Sequence, residues 1–267
     1  MTKAGPPRIL AIAGSDSSGG AGIQADIKSI TMTGGYAMTA ITAVTAQNTV
    51  GVQRIDALPI ASVTAQIASC LDDIGVDAVK TGMLGNPRMI RAVFSAISGL
   101  GVPVIVDPVM VATSGDRLVG DDALGALRRI ALPAATVLTP NIPELALLDG
   151  EEIDDVDTMV AAATRLARDY NITVLAKGGH LISDRLTDVL VRADGEIARV
   201  EEGRIDTEST HGTGCSLASA LASHLAQGAD IETAFTNACA YVRRAIADAP
   251  TLGRGHGPLA HGWPLTE

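Results

Sequence analysis

Apolar and polar positions along this chain fall into two alternating rhythms. Short runs that are apolar on both faces, "RILAIAG" (8–14), "AMTAITAVTA" (37–46), "DAVKTG" (77–82), "VPVIVDP" (102–108), "ATVLTP" (135–140) and "TVLAKGG" (173–179), predict buried strands of a parallel sheet. Between them, stretches at about 20–34, 60–74, 87–99, 121–131, 154–170, 214–227 and 230–247 carry the helical period. This alternation predicts an α/β fold, a three-layer α/β/α sandwich with a mostly parallel central sheet.

The segment 187–206 breaks the rhythm. It holds two strand-like runs around Asp194-Gly195, a hairpin dipeptide, and predicts an antiparallel pair near a sheet edge. No repeat, low-complexity stretch or Pro/Ser-rich linker divides the chain, so residues 1–267 read as a single domain. Several strands end in Gly, Asp-Pro, Thr-Pro or Lys-Gly-Gly. Ligands of open parallel sheets bind at those carboxyl ends, so the chemistry is expected there.

A hydrophobic content of 47% is enough to build a sizeable core, and at 2% aromatics that core must come from Ala, Val, Leu and Ile. The formal charge of −10 without any basic run argues against a nucleic-acid or membrane surface, and the scarce aromatics argue against single-strand stacking. Cys70, Cys215 and Cys239 show neither a CxxC nor a Cys/His metal pattern, which fits a reducing compartment. No signal-peptide core is seen and no window approaches the roughly 18 apolar residues of a membrane span, so a cytoplasmic protein is expected.

Six stretches carry candidate chemistry. "AGSDSSGGAGIQAD" (13–26) is a Gly/Ser loop between strand and helix, yet Gly20 and Ala21 occupy the places where a Walker loop needs Lys and Ser/Thr. "GAGIQA" begins too late after the strand for a dinucleotide fingerprint, which disfavours a nicotinamide oxidoreductase. The loop is either a phosphate cradle or a turn with a helix cap. Asp26 is either a solvated first-turn charge or an acceptor facing the loop. In "TAQNT" (45–49), Gln47 is a candidate reader of a heterocycle edge and Asn48 a turn former. "IVDPVMVATSGDRL" (105–118) delivers Asp107 at a strand end, followed by a loop with Ser114, Gly115 and Asp116 that is expected to close over a site.

"TPNIPELALL" (139–148) sets Asn141 and Glu144 three apart, suited to a magnesium–phosphate group or, equally, to a helix capping box. Lys177 of "LAKGGH" (175–180) either snorkels or neutralises an anion, and His180 reads as solvated. In "HGTGCSL" (211–217), Gly212, Thr213 and Gly214 let backbone N–H groups converge at a helix N-terminus, an anion site without a formal charge. Cys215 follows directly. It is either a small buried apolar residue or, with its pKa expected to be lowered by the helix, a base or nucleophile.

Taken together, "AGSDSSGGAGIQAD", "TAQNT", "VKTGML" (79–84), "DPVMVATSG" (107–115), "LTPNIPE" (138–144), "KGGH" (177–180) and "HGTGCSL" resemble the hydroxymethylpyrimidine/phosphomethylpyrimidine kinases of the ribokinase-like superfamily. The motifs keep the family's order over nearly the whole chain, and Cys after Gly-Thr-Gly separates this branch from sugar kinases, which carry Asp there. Ser209 stands where the family often has Asn, and "GRGHGPLAHGW" (253–263) is a looser match to the family's Gly-x-Gly-x-Gly-Pro ending.

The resemblance implies a ribokinase-like enzyme of thiamin biosynthesis that uses ATP and Mg²⁺ to phosphorylate 4-amino-5-hydroxymethyl-2-methylpyrimidine, first to the monophosphate and then to the diphosphate. It implies a pyrimidine pocket at Gly14, Asp26, Gln47, Met83 and Val109. It also implies a phosphate side at Asn141, Glu144 and Lys177, magnesium near Asp107 and Glu144, and a catalytic anion hole at Gly212, Thr213, Gly214 and Cys215 with Lys177. Homodimers are implied as well. Pyridoxal kinases share the fold and some motifs, so B6-vitamer phosphorylation is an alternative activity, and a non-catalytic pyrimidine sensor with Cys215 as a redox switch is an alternative of another class.

Overall fold

Nine strands form one sheet in the order β3-β2-β1-β4-β5-β6-β7-β8-β9 in the computed structural model, which describes residues 5–110 and 121–266. The strands are β1 (Arg8–Asp16), β2 (Tyr36–Asn48), β3 (Gly51–Ala57), β4 (Ala78–Thr81), β5 (Val104–Val106), β6 (Val137–Leu138), β7 (Thr173–Lys177), β8 (Arg185–Arg192) and β9 (Gly195–Gly203). β2, β1, β4, β5, β6 and β7 run parallel, whereas β3 at one edge and the β8–β9 hairpin at the other are antiparallel.

Alternate residues of the central strands feed two cores, as strands buried on both faces require. Leu10, Ile12, Val79, Val106 and Leu138 pack with α2 (Ile60–Asp73), α3 (Pro87–Ala96), α4 (Asp121–Ala126), α5 (Ile142–Asp149) and α6 (Val156–Tyr170) on one face. Ile9, Ala11, Ala78, Ile105 and Leu175 pack with α1 (Gly22–Met32), α7 (Thr213–Ala226) and α8 (Ile231–Ala247) on the other. This is the three-layer α/β/α sandwich expected, with the edge hairpin where Asp194-Gly195 places it.

Two elements depart from the sequence expectation. β3 has no counterpart in the expected strands, because five of its seven residues are exposed and no hydrophobic period marks an edge with little buried area. Its pairing with β2 begins at Ala43, inside the apolar run, and Asn48 turns the chain by accepting from the Val50 and Gly51 N–H groups. The helix expected at 121–131 is α-helical only to Ala126 and continues as a wider π turn over Leu127–Ala131. Ser114, Gly115 and Asp116, expected in a closing loop, lie outside the described residues.

The chain leaves β1 toward β2 on one side and returns to β4 on the other. That reversal opens a crevice above the carboxyl ends of β1 and β4, the place where doubly wound sheets bind ligands.

Candidate active site

A cavity of about 130 Å³ occupies this crevice, walled by Gly14, Asp16, Gln47, Met83, Asp107, Val109, Asn141, Glu144, Lys177, His211, Gly212, Gly214 and Cys215 among others. It opens beside a cleft of about 900 Å³ that shares Asn141, Glu144, Lys177 and Gly214 and extends over β8, β9 and α8. Of the residues singled out in the sequence, Gly14, Gln47, Met83, Val109, Asp107, Asn141, Glu144, Lys177, Gly212, Gly214 and Cys215 therefore converge. Thr213 lines the larger cleft.

Asp26 is not brought to the cavity wall. It is fully buried in α1 and is neither the solvated charge nor the loop-facing acceptor considered from the sequence. Its Oδ1 accepts from Lys80 Nζ at 2.8 Å and from Ser219 Oγ at 2.7 Å. Lys80 of β4, which sequence reading passed over, is equally buried. Burial works to lower the Lys80 pKa, but the negative charge of Asp26, with that of Asp107, outweighs it and keeps the ammonium protonated.

On the side expected from the sequence to take the pyrimidine, the packing is tight. A Cβ at Gly14 would stand 2.5 Å from Met83 Cε, so only glycine leaves Met83 its place. Gln47 is half-buried, with its Oε1 accepting from Thr45 Oγ1 at 3.0 Å and its backbone exchanging hydrogen bonds with Ser17.

On the phosphate side, Asn141 and Glu144 do form the capping box that competed with the ligand reading, each side chain accepting from the other's backbone N–H at 2.9 Å. The two roles coexist, since both residues also wall the cavity. Burial pushes the Glu144 carboxyl up to about 7, against the pull of Lys177. Lys177 Nζ lies 3.1 Å from Asp107 Oδ1, and the neighbouring negative charges of Asp107 and Glu144 raise its pKa although burial opposes them. Asp107 Oδ2 is buried without a hydrogen-bond partner. Lys177 thus neither snorkels nor stands alone.

In the glycine turn the Thr213 N–H, expected among the converging donors, is taken up by Thr210 O at 3.2 Å. Gly212, at φ +86°, precedes α7 with no side chain capping the helix, which leaves the helix N-terminus facing the cavity. A Cβ at Gly214 would approach Lys177 Nζ to 3.0 Å, so the ammonium sits directly over the turn. His261 is pushed down to about 4 by burial and is therefore neutral near pH 7. Ser216 Oγ lies 2.8 Å from both Gly212 O and His261 Nε2, a chain that braces the turn from behind.

For Cys215 the sequence expectation of a lowered pKa is overturned. Burial pushes the thiol up to about 12, and the Lys80 charge and the Gly22 N–H only partly offset it. Gly22 begins α1, so the sulfur lies at the N-termini of two helices, yet desolvation wins over both.

The family model described as phosphomethylpyrimidine kinase matches residues 16–260. The chain belongs to the phosphomethylpyrimidine kinase family. It is 45% identical to the hydroxymethylpyrimidine/phosphomethylpyrimidine kinase of Streptomyces coelicolor, covering 98% of this chain and 97% of that one. The enzyme of the same name from Bacillus subtilis is 43% identical, over 95% and 94% of the two chains. Among solved structures, phosphomethylpyrimidine kinase from Clostridium difficile superposes with a TM-score of 0.78 at 37% identity, covering 90% of this chain and 99% of that one. A Bacillus subtilis pyridoxal kinase solved as an ADP complex gives 0.89 at 35% identity, over 96% and 98%. Within this chain, the two departures noted in the sequence meet in space. Ser209 Oγ lies 2.7 Å from where a Cβ on Gly257 would stand, so serine packs against the tail segment.

Proposed function

We propose that this protein phosphorylates 4-amino-5-hydroxymethyl-2-methylpyrimidine with ATP and then phosphorylates the monophosphate to the diphosphate, as a step of thiamin biosynthesis. The observation that carries the reading is the convergence of a small cavity, a glycine turn at a helix N-terminus and Lys177 at one sheet switch point, in a chain whose full-length relatives bear that name. The larger cleft sharing Lys177 and Gly214 is the place for the nucleotide.

In the proposed reaction the substrate oxygen attacks the γ-phosphorus, the bond to ADP breaks, and the charge on the moving phosphoryl group is met by Lys177 and the backbone N–H groups of Gly212, Gly214 and Cys215. The net negative charge of the protein does not oppose this, because the local donors act at contact distance. Gly14, Met83, Gln47 and Val109 hold the ring. The thiolate of Cys215, the minority form, takes the hydroxyl proton of the first step and becomes the thiol. A thiol held protonated near neutral pH is a scarce base, and a loose transition state tolerates that because little bond-making is asked of the nucleophile. Asp26 acts from behind, through Lys80 and Ser219.

Magnesium fits the donor set. Asp107 Oδ2 is a buried carboxylate oxygen without a partner, and Glu144 lies on the same wall. No cluster of three or more His, Cys, Asp or Glu that could hold a metal gathers among the described residues. That suits an ion taking one or two carboxylates together with nucleotide phosphates. When bound it would neutralise charge on the phosphates, with Asp107 and Glu144 as its protein ligands.

Mass spectrometry of products from MgATP and the hydroxymethylpyrimidine tests the reading. Addition of one and then two phosphates supports it, and binding without ADP release leaves a sensor. Pyridoxal belongs in the same assay, since the pyridoxal kinase likeness extends over 96% of the chain. No helix among the described residues is long and apolar enough to cross a membrane, and a cytoplasmic location is part of the proposal. A homodimer is also proposed, with Val44, Val50 and Ile55 exposed on the β2–β3 edge as the apolar surface to bury, and light scattering gives the mass.

A further inference from the structure

Asp16 and His211, 195 positions apart, meet through a 2.8 Å contact between Asp16 Oδ2 and His211 Nε2, and both are buried. A carboxylate only accepts, so the ring nitrogen is the donor. The same carboxylate gathers its own loop, accepting from the N–H groups of Ser18, Gly20 and Ala21 and from Ser18 Oγ at 2.8–3.1 Å. One side chain therefore fixes the course of residues 16–21 and grips the residue just before the glycine turn.

The two segments it joins are in backbone contact. A Cβ at Gly20 would collide with the His211 ring, and a Cβ at Gly212 would collide with the Gly20 carbonyl. Where the loop ends, Gly22 shares the cavity wall with Cys215, and its N–H favours the thiolate. From the other side His211 is held by its own N–H, which donates to Gly257 O at 3.0 Å. Any shift of the loop must therefore move the turn.

We propose that Asp16 and His211 are a positioning pair that couples the pyrimidine-side loop (15–22) to the phosphate-side turn (210–215), so that the bound ring and the anion hole are held in register. The proposal rests on the kinase reading for its catalytic consequence, though the mechanical coupling does not. The pair acts through Gly22, Gly212 and Cys215, so its loss is expected in turnover more than in binding.

The test uses the full chain with His211→Ala, His211→Gln, Asp16→Asn and the double variant Asp16→Asn/His211→Ala. Glutamine places an N–H donor near the position of Nε2. His211→Ala is expected to lower kcat for the first phosphorylation about 10–100-fold, with KM for pyrimidine and for MgATP within about 3-fold of wild type. His211→Gln should recover to within about 5-fold, and the double variant should be no worse than His211→Ala, the signature of one shared interaction. Hydrogen exchange read by mass spectrometry supplies the arm that needs no turnover. In His211→Ala and in Asp16→Asn, peptides spanning 15–23 and 209–217 should both exchange at least about 10-fold faster while the other peptides keep their rates.

Loosening confined to the substituted segment overturns the coupling, as does a loss lying in KM or a folded glutamine variant without rescue. A wild-type protein inactive on the pyrimidine refutes the kinase reading instead, and the exchange arm still decides the coupling.

Discussion

Lys80 Nζ lies 2.8 Å from Asp26 Oδ1, and neither side chain reaches solvent. Removing one partner of such a pair strands the other charge in the core, whereas removing both does not. Lys80→Met is therefore expected to lose about 3–5 kcal/mol of stability, and Lys80→Met/Asp26→Asn markedly less. Urea denaturation of the two variants checks this. Equal losses would mean that Asp26 is not held as an unpaired charge in the single variant.

For Cys215, the two phosphorylations differ in what must lose a proton. An alcohol gives up its proton in the first, whereas a phosphate monoester is already largely anionic near pH 7 in the second. Cys215→Ala is expected to slow the first step at least about 10-fold more than the second. Separate rates for the two half-reactions decide it, and equal losses would leave Cys215 a purely architectural part of the turn.

Asp16 carries an acid-stability signature. Although burial opposes ionisation, His211, Ser18 and the loop N–H groups hold its carboxyl down to about 2, below the usual value of 3.8. A depressed carboxylate adds stability that is fully present above the unfolded value and is lost as pH falls through the folded one. The difference in unfolding free energy between wild type and Asp16→Asn should be about 2 kcal/mol near pH 6 and vanish between about pH 4 and pH 2. Denaturation at several pH values reads it, and a difference that persists below pH 2 would deny the carboxylate this role.

What was legible in the sequence is what local pattern encodes. The helices and central strands follow from apolar periodicity, and the glycine turn before Cys215 marks the start of a helix without any partner from elsewhere. The sign of the Cys215 shift was not legible, since a helix N-terminus is visible in sequence while desolvation by the rest of the fold is not. Asp16–His211 depends on contact across almost the whole chain. Lys80 could have been found. Like Lys177 it is a lone lysine in a run of buried residues, and the reasoning applied to the second applies to the first.

Gly212 separates backbone strain from steric contact. Its φ of +86° disfavours any side chain, and a Cβ there would also strike the Gly20 carbonyl, forcing the loop and the turn apart. Gly228, just beyond α7, has a matching φ of +88° but nothing within 4 Å of a Cβ. Strain alone predicts similar costs of about 1 kcal/mol for alanine at either position, with turnover kept. The collision predicts more for Gly212→Ala, a fall in kcat of at least about 100-fold from misplacement of the turn, while Gly228→Ala keeps near wild-type kcat. Steady-state kinetics and thermal melting of both variants separate the two accounts. Turnover that survives Gly212→Ala would show that the loop can yield without disturbing the anion hole.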